Sequence, residues 1–129
     1  MPDRARSRDA ALAAGRQALG RLTSTDAARP DATRAGWLAV TAGPLHDQLA
    51  AGPAPDPGVT ARSTVTEAAV TALDTGAGTA RVIAVVRVDL TQAAGAVTTD
   101  RRRLAATLTR GPGGWKVTAL TAVPVGAPG

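Results

Sequence analysis

The chain has 129 residues, a net charge of +5, 44% hydrophobic and 19% charged residues. That balance fits one folded domain with a single core and excludes a disordered segment. There is no cysteine, tyrosine or phenylalanine and only one histidine, which excludes disulfides, thiolate nucleophiles and cysteine-based zinc sites and leaves too few rings for the stacking platforms of single-strand nucleic-acid binders.

Thirty alanines and only two aromatic residues, Trp37 and Trp115, predict a core of small side chains. Such a core buries little area per residue, so modest stability is expected, with each Trp carrying a large share. Fourteen arginines stand against one lysine, Lys116, a bias typical of GC-rich coding. The charge suits acidic proteins or lipid headgroups as partners, and equally an ordinary basic surface.

The first predicted element is a helix over residues 7–22. Ala11, Leu12, Gly15, Ala18, Leu19 and Leu22 recur at three- and four-residue steps, with Ser7 as its cap and Asp9 in its first turn. Residues 1–7 ahead of it are expected to be flexible. TSTDAARPDA separates it from a second helix that starts near Pro30 and carries Trp37, Leu38 and Val40, with Asp26 and Asp31 as caps. Gly43-Pro44 punctuates, and residues 45–51 form a short third helix. AGPAPDPG, residues 51–58, reads as a loop because its three prolines bar regular pairing.

Beyond it the apolar period changes from 3.6 to 2. Strands are predicted over residues 59–73, 79–92, 97–110 and 114–123, joined by the turns DTGAG, AAGA and GPGG. Val82, Ala84, Val86, Val88 and Leu90 share one face of the second strand, with Arg81, Arg87 and Asp89 on the other. Leu104, Ala106 and Leu108 point inward from the third, and Trp115, Val117 and Ala119 from the fourth. Short turns force antiparallel neighbours, so the fold class is α+β: helices packed on one face of a four-stranded meander. Strands of this length imply a strongly curved sheet. The single domain spans residues 8–123, and 124–129 form a frayed tail.

This order resembles the nuclear-transport-factor-2-like (SnoaL-like) cone. Within it, SRDAALAAGRQALGRLTSTDA, TAGPLHDQL and RRRLAATLTRGPGGWKV resemble segments of the Mce-associated membrane proteins of actinobacteria over residues 8 to 123. The resemblance implies a soluble domain on the outer face of the cell membrane, tethered by a preceding helix, that supports a lipid-importing complex through protein contacts. No run in this sequence approaches the roughly 18 apolar residues of a membrane span, and the N-terminus lacks the apolar core of a signal peptide, so a cytoplasmic location stays open.

Enzymes on this cone place an Asp, His or Tyr inside the cavity. Glu67 shares an alternation face with Val65 and Ala69 and is the candidate for that role. Asp89 lies beside Arg81 and Arg87, where an ion pair across the sheet explains it. His46 and Asp47 are adjacent on a helix, so their side chains diverge by about 100° and form no dyad. No metal site and no cofactor are expected. Arg101-Arg102-Arg103 is the sharpest charge feature: in a strand Arg101 and Arg103 point one way and Arg102 the other, suited either to acidic partners or to edge protection. Trp37 and Trp115 are expected to plug the cone from opposite sides. Together with Arg101 and Arg103 they are the candidates for contacting a partner, and a homodimer through the sheet is a further option. The expected function is a non-enzymatic scaffold of a cell-envelope complex. A small-ligand binder or enzyme built on Glu67 is the alternative, and a scaffold in a secretion or conjugation machine is a third reading.

Overall fold

The change of apolar period at residue 59 is where helices give way to sheet. A computed structural model describes residues 4–53 and 58–123. Three helices, α1 (Arg4–Leu22), α2 (Pro30–Ala39) and α3 (Gly43–Ala51), precede four strands, β1 (Val59–Asp74), β2 (Thr79–Gln92), β3 (Val97–Gly111) and β4 (Gly114–Ala122). The strands pair antiparallel in sequence order. This is the α+β architecture that the pattern predicts. The tail 124–129 and residues 54–57 of the proline loop lie outside the described residues.

Helix α1 begins at Arg4, so Ser7 sits within it and does not cap it. Its buried residues Ala11, Gly15, Ala18 and Leu19 form one stripe laid on the sheet. Gly15 lets that stripe come close: a Cβ there would meet Val82 Cγ2 at 3.1 Å. The last turn is closed by hydroxyls, with Thr23 Oγ1 donating to the Leu19 carbonyl and Ser24 Oγ to that of Gly20, both at 2.6 Å. Helix α2 has Pro30 and Asp31 in its first turn but no side-chain cap. Asp26 shapes the turn before it: its carboxylate accepts from the Ala28 amide at 3.0 Å, and its own amide donates to Thr33 Oγ1.

The core lies between α1 and the inner face of the sheet. Val82, Ala84, Val86 and Val88 of β2, and Leu104, Ala106 and Leu108 of β3, are buried as the alternation predicts. Three bulges alter the pattern elsewhere. Thr66 and Thr71 are extra residues in β1 and Thr118 in β4, since Val65 pairs with Val86 but Glu67 with Val85, Val70 with Val82 but Ala72 with Arg81, and Leu108 with Val117 but Thr107 with Ala119. Each extra residue swaps the faces of the strand residues after it. Ala119 is therefore exposed and Leu120 packs on the core. The largest fully buried side chains are Leu19, Leu108, Val82, Val86, Val88 and Val117. The two tryptophans are only partly buried: Trp115 packs against this core, Trp37 is not part of it, and aliphatic side chains supply the fully buried filling.

The edges of the sheet are treated unequally. Along β1, Thr25 and Ala61 exchange backbone hydrogen bonds, both at 2.9 Å, and the Ser63 amide donates to Ser24 Oγ at 3.2 Å. Further along, Arg16 donates to the Val65 carbonyl and Arg4 to that of Leu73. At the other edge, the Val117 amide of β4 donates to the Val40 carbonyl and the Val117 carbonyl accepts from the Ala42 amide. But β4 pairs only with β3 residues 104–111 and Val123 just beyond it closes on the Arg103 carbonyl, leaving residues 97–102 of β3 as an overhang exposed along its whole length.

Candidate docking surfaces

Glu67 does not face a cavity. The bulge at Thr66 turns it onto the outer, helix-free face opposite Val85, where it is exposed. No described carboxylate is buried in the core; the one buried polar side chain there is Thr41, 5% exposed, whose hydroxyl donates to the Trp37 carbonyl at 3.0 Å. His46 and Asp47 come closer than helical geometry suggests, with Nδ1 and Oδ1 3.8 Å apart, too far for a hydrogen bond and with Asp47 86% exposed. Asp89 pairs along its own strand with Arg87 at 3.4 Å, not across the sheet, and accepts from Thr99 Oγ1 at 2.8 Å. Among the described residues no three His, Cys, Asp or Glu side chains gather as metal ligands would.

Two surfaces remain. The first is an open cleft of about 640 Å³ between the end of α1, α2 and the start of β1. Trp37 forms one wall, and its indole N–H donates to the carbonyls of Arg21 and Ser24 at 3.0 and 3.1 Å. Its hydroxyls are engaged internally: Ser63 Oγ donates to the Thr23 carbonyl and Thr60 Oγ1 accepts from the Ala27 amide. Arg21, Arg29 and Arg62 also line it. Sequence reading missed all three, because they come from α1, the turn before α2 and β1 and share no local pattern. Trp115 is far from this cleft in sequence and serves the hairpin, with the Arg110 guanidinium over its ring at 5.6 Å.

The second surface is the overhang. Residues 97, 99, 101 and 103 share the outer face, and 98, 100 and 102 the inner face, since Asp100 and Arg102 pair with the buried Val88 and Val86. The triplet is split as the strand period predicts. Arg102 is held by Asp100, Nε to Oδ2 at 3.2 Å. Arg101 and Arg103 have no carboxylate partner among the described residues. Val97 is 63% exposed, the one large hydrophobic side chain so exposed among them.

No protein-family model and no curated protein matches the sequence. Solved structures do match in shape. CagV, a VirB8 homologue of the type IV secretion system from Helicobacter pylori strain 26695, is similar over 92% of this chain and 99% of its own, with 8% identity and a TM-score of 0.70. A periplasmic fragment of TraM is similar over 88% of this chain and 95% of its own, with 12% identity and a TM-score of 0.67. The intermembrane space region of the chloroplast protein ARC6 is similar over 97% and 99%, with 12% identity and a TM-score of 0.57. The shared fold is the nuclear-transport-factor-2-like arrangement of helices on a curved meander, and none of these three is an Mce-associated protein.

Proposed function

We propose that this chain is a non-catalytic assembly domain of a cell-envelope complex, working outside the cytoplasm by holding other proteins against its surface. The observation that carries this reading is the filled hollow. Leu19, Leu108 and the β2 valines occupy the place where a ligand-binding cone keeps its chamber, and Glu67, the carboxylate that a catalytic version needs, stands on the opposite face. The shape shared with CagV and the periplasmic TraM fragment supports an envelope role of the secretion or conjugation kind. The Mce-associated identity rests on the sequence segments quoted above, without support from the structural neighbours. No helix among the described residues is long and apolar enough to cross a membrane, so a tether, where one exists, lies outside them.

The test is in-cell cross-linking of the tagged protein in its own host, followed by mass spectrometry. Cross-links to envelope-complex subunits are expected, and their identity separates a secretion-type from an Mce-type assembly. The reading fails if no envelope partner is captured and the purified protein instead turns over or retains a small molecule in a way that Glu67→Gln abolishes while folding is intact.

A further inference from the structure

We infer that the overhanging edge of β3, residues 97–102, accepts an extended acidic segment of a partner protein as an added strand. This deepens the assembly reading and rests on it.

In an antiparallel ladder successive residues direct their N–H and C=O groups to alternate sides. The Arg110 amide donates toward β2, to the Gly78 carbonyl, while the Arg103 carbonyl accepts from the Val123 amide on the β4 side. The pairing of β3 with β2 runs from residue 97 to 109 without a shift. Val97, Thr99 and Arg101 therefore direct their backbone groups to the side that β4 does not reach. Such a row is a template for another strand. One group in it is closed: Asp100 Oδ1 accepts from the Arg101 amide at 2.9 Å while Oδ2 holds Arg102. Asp100 is thus a plug that an incoming carbonyl must displace.

Charge chooses among occupants. Arg101 and Arg103 lie two residues apart on the outer face with no carboxylate partner among the described residues, and a strand added beside β3 would set one side chain directly opposite Arg101 and diagonal to Arg103. A second copy would bring the same excess of arginine and repel. Residues 124–129, PVGAPG, hold no acidic side chain. Val123 already stands opposite Arg103, so an antiparallel partner begins beside Arg102 and places one acid opposite Arg101, within diagonal reach of Arg103, with uncharged residues beside the Asp100–Arg102 pair and an apolar residue near Val97.

The probe is the blocked peptide Thr-Glu-Thr-Thr-Ser-Val, titrated into the full chain by calorimetry at low salt, with hydrogen exchange read at Thr99 and Arg101. Binding with new protection at those amides is expected. Thr99→Pro, which removes one edge N–H and no charge, and N-methylation of the probe glutamate should each weaken binding roughly tenfold, the size of one lost hydrogen bond. Arg101→Glu with Arg103→Glu should abolish it, and Asp100→Ala should tighten it, a gain that misfolding cannot mimic. The inference is overturned by an absence of binding, or by binding that the arginine pair controls but Thr99→Pro and N-methylation leave unchanged. The same holds for tighter binding to anionic phosphatidylglycerol vesicles than to the peptide, for a dimer of the chain that Thr99→Pro abolishes, and for binding seen only after residues 124–129 are removed. If the edge fails while cross-linking still captures envelope subunits, the assembly reading stands without it.

Discussion

The two long edges of this sheet face the same problem and solve it differently. Along β1, every stretch that the helical layer can reach is dressed: Thr25 pairs with Ala61, Ser24 receives the Ser63 amide, and Arg16 and Arg4 stretch from α1 to the carbonyls of Val65 and Leu73. Along β3, the stretch that β4 does not cover has only Asp100 bent back onto the next amide and arginines on both faces. Bare strand edges invite pairing with other chains. The helices thus seal one side of the domain by hydrogen bonds, and the other is screened only by charge, which a partner of opposite sign can neutralise.

Single substitutions put that contrast to the test. The largest effect belongs to the packed end that anchors both edges: Leu108→Ala should cost about 2–5 kcal/mol in urea unfolding, because Leu108 is fully buried and small neighbours cannot collapse onto the void. A proline placed on each edge compares them directly. Ser63→Pro removes an amide that Ser24 uses and should cost roughly 1–3 kcal/mol. Thr99→Pro removes an amide that no described group accepts and one exposed hydrogen bond to Asp89, and should cost under about 1 kcal/mol. Equal costs at the two sites would mean that the β3 edge is already covered. Ser24→Ala undresses β1 without touching its backbone; a loss of about 1 kcal/mol is expected, with faster hydrogen exchange confined to the neighbourhood of Ser63. Glu67→Gln should be the quietest, within about 0.5 kcal/mol by thermal or urea unfolding, since its side chain is exposed on the outer face.

The frame of this fold was legible from the sequence because its signals are local. Alternation of Val82, Ala84, Val86 and Val88, with glycine turns between apolar runs, placed all four strands to within a residue at either end. What failed was face assignment downstream of a bulge. Thr66 and Thr118 look like ordinary strand residues, yet each adds one step, and that step carried Glu67 outward and exchanged Ala119 for Leu120. Trp37 departs from its expected place for a different reason: an indole has an N–H to satisfy, and Trp37 meets it at the end of α1, which holds the ring at a cleft wall. The dressing of β1 by Arg4 and Arg16 joins residues 69 and 49 positions apart, beyond any pattern in a single sequence. Of the candidate site residues, Arg101 and Arg103 were found on a shared face as the strand period requires, whereas the arginines of the α1–α2 cleft left no trace in it.

The same two indoles have a practical consequence. With no tyrosine in the chain, intrinsic fluorescence comes from Trp37 and Trp115 alone, one seated among the helices and one on the last hairpin beneath Arg110. Replacing either by leucine leaves a single emitter that reports on one layer, so the order in which helices and sheet come apart can be read optically without attaching a dye.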